Sequence, residues 1–555
     1  MRREIGCIKM RPLQFHLEGF SLDMGHITRY NETKSISGGG SDLKAVQEDE
    51  VYFLLTAEQE KGGLFSMRKT VLAIVVLCSV LLLAGSMAWG EGKTIKVLAM
   101  TGPWVSGPVK VHGEEWGKMT GNRVEVIEAD FADLFPKMQQ AAATRSKAFD
   151  ILLAGNIWMA DLVGWGYVIP LDDYLKDPEV QYETDVPDGI KLKNMFGGKT
   201  YGLICDNDNM YLFYRKDVLG NPDYRAKFKE KYGYEYNVPP KTLDELIDVA
   251  EFFNGWDWDN DGEIEYGFVR STKRGAQTYF YSLPWVAPYV VVPRDKAPAQ
   301  GILYFQPDMT PLVNSPGWVK GIEKFIEMGK RGCGPGLDWV RGDVINEMIL
   351  GHAAMAIDWG DIGPNSHDVQ SKVKGLIGYA LPPGTKEYWD WQKGEWVKTE
   401  EVHYAPVHCF NGWSFYITST TDYPDLCWDF VKYMISPEVS AKDVANPFSG
   451  YQPWRKSHMQ NLEAWVQAGW TEEEAREYIA NTLAVTDHPN AVIDIRIPGS
   501  AEYMDVYELH LTVALSGEKS VQDAMNDCAA EWNAITERLG KDAQTKFYRQ
   551  HLGLE

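Results

Sequence analysis

Cysteine and histidine are scarce in this chain, and basic residues are outnumbered by acidic ones. Seven cysteines occur in 555 residues. Cys205, Cys333, Cys409, Cys427 and Cys528 lie beyond residue 90 at irregular spacing, too sparse for a disulfide framework or a zinc site, and their odd number leaves at least one thiol free. The 11 histidines are scattered, and no GxGxxG, GxSxG or HExxH motif occurs, which disfavours enzymes built on nucleotide, serine or zinc chemistry. Gly198-Lys199-Thr200 resembles the end of a phosphate loop, but such a loop needs glycine where this chain has Lys193. The segment reads instead as a hairpin turn. Basic residues number 55 against 78 acidic ones, a net charge of −23. An acidic surface keeps an exported protein soluble and argues against nucleic acid or anionic lipid as partner.

Export is what residues 67–90 encode. Arg68 and Lys69 precede an apolar run at 71–84 that is too short to span a membrane comfortably, and small residues follow at Ser86, Ala88 and Gly90. Cleavage is expected near Ala88 or Gly90, giving a periplasmic or secreted protein. Cys78 follows Val-Val-Leu rather than a small residue, so no lipid anchor is expected. An export signal works at the start of a chain, so residues 1–66 are read as a translated leader ahead of a true start at Met67. That leader contains Ser-Gly-Gly-Gly-Ser and no sustained apolar period, and it is expected to be disordered.

Beyond residue 90 the chain is longer than one core usually holds, so two lobes are expected. Residues 93–100 read as a strand, 109–119 as a helix and 123–128 as a strand. Phe131, Leu134, Phe135, Met138 and Ala142 recur at helical spacing, and a buried strand starts at Asp150. This β-α-β-α-β order predicts a mostly parallel sheet with ligand sites off the carboxyl ends of its strands. Thr242 and Glu245 predict a capping box for a helix ending near Asn254. Directly after it, Asp257, Asp259 and Asp261 followed by Gly262 match the first half of an EF-hand calcium loop. Phe268 stands where the twelfth-position glutamate belongs, so either Glu263 or Glu265 completes a structural Ca²⁺ shell or the segment is only an acidic turn. Val521, Ala524, Cys528, Trp532, Ile535 and Leu539 predict a long C-terminal helix. The chain holds 20 tryptophans and 28 tyrosines, which suits sugar stacking as well as core packing.

The order of several segments carries a family resemblance: AFDILLAGNIWMADLVGWGYVIPLDDYL (148–175), GGKTYGL (197–203), YLFYRKDVL (211–219), TLDELIDVAEFFNG (242–255), GHAAMAIDWGDIGP (351–364), GYALPPG (378–384), NGWSFYITSTTDYPDLCWDFVKYMISPE (411–438) and SGYQPWRKS (449–457). Over nearly all of 93–550 the chain resembles family 1 of the extracellular solute-binding proteins of ABC importers, the carbohydrate-binding group that includes maltose-binding protein. The resemblance implies an α/β, two-lobe periplasmic-binding-protein fold of type II. Each lobe is then a mostly parallel sheet flanked by helices, with a hinge of several crossover strands near 204–208, 403–411 and 448–451. It implies one lobe of 93–204 plus 405–447 and another of 205–404 plus 448–555, closing on ligand like a flytrap.

Carried over by position, the resemblance offers Trp104, Asn156, Trp158 and Trp413 as cleft residues from the first lobe. Asp208, Gln277, Trp285, Asp358, Trp359, Asp361 and Tyr503 come from the other, with Gly450 and Arg455 as hinge or lobe-contact residues. Tryptophan faces suit pyranose rings, and Asp and Asn groups suit paired hydroxyls. On this reading Trp359→Ala weakens binding and leaves the ligand-free protein's melting nearly unchanged. The implied function is a monomeric, non-catalytic binding component that presents a carbohydrate or polyol to an ABC permease. The TGPWVSG loop (101–107) lacks the acidic and basic pair of the maltose-binding branch, which leaves the sugar open.

Two other readings stand beside this one. An exported glycoside hydrolase would use two carboxylates such as Asp358 and Asp361, although residues three apart on one loop rarely face each other across a substrate. The same binding fold could instead take a cationic amine or peptide, because Asp206, Asp208, Asp358 and Asp361 map near the cleft.

Overall fold

The computed structural model describes residues 15–17, 20–22, 92–294, 301–334 and 338–554. The export segment 67–90 and most of the expected leader lie outside the described residues. In the N-terminal unit, Phe15–Leu17 pairs antiparallel with Phe20–Leu22.

The main body starts with the expected alternation: β1 (Thr94–Met100), α1 (Ser106–Thr120), β2 (Arg123–Ala129), α2 (Phe131–Ala143) and β3 (Ile151–Gly155). Every residue of β3 is buried, as in a strand covered on both faces. After α3 (Met159–Gly164) a hairpin pairs Met195 with Thr200 and Phe196 with Lys199. Gly197 and Gly198 sit at φ of 56° and 78°, the left-handed geometry that a tight hairpin needs. The phosphate-loop resemblance is therefore a turn.

The chain continues through β4 (Leu203–Asp206), β5 (Met210–Arg215), α4 (Leu243–Phe253), α5 (Thr278–Val290), α6 (Pro316–Arg331), α7 (Arg341–Leu350), β6 (Met355–Trp359) and β7 (Ile377–Ala380). It ends with β8 (Trp413–Ile417), α8 (Pro424–Met434), α9 (Glu472–Thr486), α10 (Ser500–Leu515), α11 (Val521–Leu539) and α12 (Lys541–His551). The long C-terminal helix stands as read from its spacing. The capping box at α4 is half made. Thr242 Oγ1 accepts from Glu245 N at 3.2 Å, but the Glu245 carboxylate takes Lys241 N at 2.7 Å and Asn237 N at 2.6 Å. Donors of the preceding loop outcompete the cap residue for this acid.

Two sheets carry the α/β architecture. The first has order β2-β1-β3-β8-β4, with β1 parallel to β2 and β3 and with β8 antiparallel to both its neighbours. The second has order β6-β5-β7, and both of its ladders are antiparallel. Parallel pairing thus makes two of the four ladders in the first sheet and none in the second, so neither is the expected mostly parallel sheet. In the second, β5 enters directly from a crossing and takes the centre, so β6 and β7 return alongside it. Parallel pairing reappears beside β6 as single bridges, Tyr266 to Ala353 and Val269 to Ala356.

The chain passes between the sheets three times. It leaves β4 for β5 through residues 207–209, where Asp208 has φ of 43°. It returns to β8 through Phe410 and Asn411, at φ of 70° and 59°. Gly155 makes that approach possible, because a β-carbon there would meet the Phe410 ring at 2.0 Å. The third passage runs at 449–452, between α8, which packs on α1 and β8, and α9, which packs on β5 and β7. It lies against the first passage: Gln452 N donates to Asp206 Oδ1 at 2.9 Å, and Asn209 N donates to Gln452 Oε1 at 2.9 Å. Arg455, fully buried, anchors this passage through Asp185 at 3.1 Å and the Ile435 carbonyl at 2.5 Å. Among the described residues all five cysteines are free, and no helix is long and apolar enough to cross a membrane.

Candidate functional site

The passages bring strand ends from both sheets to one small cavity. Met100 at the end of β1 and Trp413 at the start of β8 come from the first sheet. Trp359 ends β6, Arg341 opens α7, and Gln277 precedes α5 at φ of 69°. Asp206 ends β4; Asp208, Phe410 and Gly450 come from the passages themselves, and Asp361 follows β6. Gly450 is required here, because a β-carbon would meet Asp361 Oδ2 at 2.7 Å and Trp104 Cβ at 2.9 Å. The cavity measures about 10 Å³, roughly the room one water molecule needs. A sugar-sized solute therefore enters only if the two sheets move apart.

The cavity's electrostatics are four carboxylates around one guanidinium. Arg341 Nε donates to Asp358 Oδ1 at 3.2 Å, and Arg341 also pairs with Asp361. Asp358 further accepts from Tyr281 Oη at 2.5 Å and Trp359 N at 2.7 Å. The Arg341 guanidinium lies 5.0 Å from the Trp359 ring centre and 5.9 Å from that of Trp104, within cation–π range. Burial pushes the Asp358 carboxyl up to about 6, and Arg341 pulls against that rise. Burial, followed by the charge of Asp361, pushes Asp206 up to about 8, with the Gln452 and Asp208 N–H groups opposing. Asp208 is raised by burial and then by Asp206. Asp361 Oδ1 is buried and has no hydrogen-bond partner among the described residues. Such a wall offers acceptors to hydroxyl donors beside flat aromatic faces.

Of the cleft residues drawn from the resemblance, the structure gathers Asp208, Gln277, Trp359, Asp361 and Trp413 at the cavity. Trp104 stands next to them through Arg341 and Gly450, and Asp358 backs them through Arg341. Asn156 and Trp158 instead brace the return passage. Asn156 Nδ2 donates to the Asn411 carbonyl at 3.0 Å, its side-chain oxygen accepts from Tyr416, and Trp158 meets Phe410 edge-on at 5.0 Å. Trp285 and Tyr503 lie elsewhere, in the interior. Trp285 packs on Phe268 and Phe325 at 5.9 Å each, because α5 is buried on every side. Tyr503 faces α11, with its hydroxyl 2.8 Å from Thr536 Oγ1 and the Trp532 indole N–H on its carbonyl at 2.8 Å. Reading the sequence for the site missed Arg341. Its only signal was a basic residue in an acidic chain opening a helix shortly before the AMAIDWGD segment.

Away from the cavity, Asp161 ties α3 to the start of α10: its Oδ1 accepts from Gly499 N at 2.8 Å, while Oδ2 is buried without a partner among the described residues. Burial pushes this carboxyl from 3.8 up to about 7. The folded protein then holds a proton that the unfolded chain releases. The associated stability is fully present below about pH 4 and is lost as pH rises through about 7. A rise of that size corresponds to about 4 kcal/mol. Asp161→Asn keeps the acceptor and removes the charge. We expect it to melt higher than wild type at pH 8 and close to wild type at pH 4, read by thermal denaturation at both.

Comparison with known proteins agrees with this architecture. Residues 113–473 match the family model described as bacterial extracellular solute-binding protein. A Deinococcus radiodurans protein named as an ABC transporter-binding protein is 24% identical over 335 residues, which is 59% of this chain and 68% of that one. An ABC transporter solute-binding protein from Agrobacterium radiobacter K84, solved with ribitol, aligns with a TM-score of 0.62 at 18% identity, covering 80% of this chain and 99% of that one. The maltose-bound MalE3 of T. maritima aligns with a TM-score of 0.60 at 18% identity, over 80% and 100% of the two chains. The chain belongs to the family of bacterial extracellular solute-binding proteins.

Proposed function

We propose that this protein is the periplasmic or secreted binding component of an ABC importer, and that it closes two lobes on a sugar, oligosaccharide or polyol and delivers it to the permease. The observation that carries this reading is the cavity where three chain passages meet, with Trp359, Trp413 and Asp208 around it. A ligand there touches both sheets only when they are drawn together, which is the differential contact that drives closure. The ribitol and maltose complexes of similar fold support a polyhydroxy ligand. No catalysis is needed, and a monomer suffices. A hydrolase is disfavoured because Asp358 and Asp361 both pair with the same guanidinium rather than flanking a substrate.

Intrinsic tryptophan fluorescence and titration calorimetry with ribitol, mannitol, maltose and spermidine test the reading. A saturable change with a sugar or polyol, and intact ligand recovered afterwards, is expected. Hydrolysis products, or saturation by spermidine alone, would overturn it.

A further inference from the structure

The loop after α4 gathers Asp257, Asp259, Asp261 and Glu265, with one oxygen from each lying within 4.8 Å of the others. The backbone shapes the first three. Gly262 N donates to Asp257 Oδ2 at 3.1 Å, Asp261 N to Asp259 Oδ1 at 3.2 Å, and Glu263 N to Asp261 Oδ1 at 2.9 Å. Each of these carboxylates keeps a second oxygen that these turns do not use.

A separate observation points to a ligand. Glu265 is 1% exposed, and its Oε2 accepts from Trp258 N at 2.9 Å, while its Oε1 is buried with no hydrogen-bond partner among the described residues. Asp257 Oδ1 is buried and unpartnered in the same way. Leaving buried acceptors unmade costs about 1–3 kcal/mol each, and more for charged groups. Burial raises the proton affinity of Glu265, and the charges of Asp259, Asp257 and Asp261 add to that rise. Glu263, an alternative partner from sequence, is turned away: its carboxylate is 69% exposed and lies 3.7 Å from His352.

We propose that Asp257, Asp259, Asp261 and Glu265 hold a calcium ion. The set is all oxygen, which excludes the sulfur and imidazole preferences of zinc and copper. Four carboxylates on a short loop suit the high and flexible coordination of calcium better than the octahedral, water-retaining shell of magnesium.

The placement gives the ion a mechanical role. Gly255 N donates to the Glu265 carbonyl at 2.9 Å, so the loop closes the end of α4 onto the following segment. That segment runs beside β6 through Tyr266 N to the His352 carbonyl at 2.8 Å and Val269 N to the Met355 carbonyl at 3.1 Å. β6 is the strand that carries Asp358 and Trp359. The ion thus braces the rear of the sheet that presents the cavity's charges, without touching the cavity.

The full protein, stripped with a chelator and titrated with calcium chloride, tests this. Calcium at about 100 times its Kd is expected to raise the melting temperature by about 3 °C, with magnesium at the same concentration giving little shift. Terbium in place of calcium is expected to show saturable emission sensitised through Trp258, which is buried within the loop. Asp259 and Asp261 are exposed, so Asp259→Asn with Asp261→Asn leaves the fold intact. It should melt without calcium no lower than wild type and lose the calcium shift and the terbium emission. Glu265→Gln should weaken calcium at least tenfold. Absence of any calcium shift or terbium emission up to about 10 mM, beyond the weak end of extracellular calcium modules, would overturn the site. Unchanged affinity in Glu265→Gln would overturn the role of Glu265.

Discussion

Replacing Arg341 with methionine is expected to remove about 3–5 kcal/mol of stability at pH 8, the usual effect of stripping one partner from a buried ion pair. The Arg341 side chain is 13% exposed, Asp358 is fully buried, and Asp361 is nearly so. Methionine fills much of the same volume, so the loss reports charge rather than a void. Asp358 would keep Tyr281 and the Trp359 N–H, but Asp358 and Asp361 would lose their cation, leaving only Lys193 to face Asp206 and Asp208. The proton affinities of Asp206, Asp208 and Asp358, already raised by burial, then rise further. Asp358 already stands at about 6 with the guanidinium in place. A carboxyl whose folded pKa is raised contributes stability that is full below about pH 4 and disappears as pH rises through the folded pKa. The deficit of Arg341→Met should therefore be small near pH 4, large by pH 8, and still growing above it, because Asp206 stands at about 8 even with the guanidinium in place. Urea unfolding of both proteins at pH 4 and pH 8 reads this directly. Equal stabilities at pH 8 would show that another group balances the cluster.

The same residue explains what the sequence could and could not disclose. The β1 to β3 alternation was legible because a parallel sheet writes local periods of two and 3.6 into contiguous segments. The hairpin at Gly197 and Gly198 and the helix α11 were legible for the same local reason. Arg341 was not. A cation at the first position of a helix opposes the helix dipole, so local rules argue against it. Its partners Asp358 and Asp361 lie in another element and reach it only because α7 docks against the end of β6. The choice between Glu263 and Glu265 was likewise beyond composition, since two acids two residues apart differ only in which one the strand-like bridge from Trp256 to Glu265 turns inward. The tryptophans divide on burial geometry. Trp413 begins a strand at a crossing, whereas Trp285 sits on a helix that is apolar all round, where a hydrophobic period gives no direction.

Trp359→Ala is expected to do two things, where the sequence suggested only one. Trp359 lines the cavity, yet it is 2% exposed and meets Phe280 and Tyr281 edge-on at 5.5 Å each, with its indole N–H 3.4 Å from the Cys409 carbonyl. Truncating a buried tryptophan leaves a cavity and costs about 3–5 kcal/mol, so ligand-free melting should fall sharply rather than stay level. Affinity for the solute that saturates wild type should also fall, by roughly 1–3 kcal/mol if the ring serves as a stacking face. Trp285→Ala separates the two effects. It removes an equally buried ring from the interior behind the site, so it should lose comparable stability and keep wild-type affinity at a temperature where both variants are folded. Calorimetric titration of the pair beside denaturant unfolding makes the comparison. Equal affinity losses in the two variants would mean that Trp359 acts through the packing of its sheet, and that solute recognition rests on Trp413 and the carboxylates.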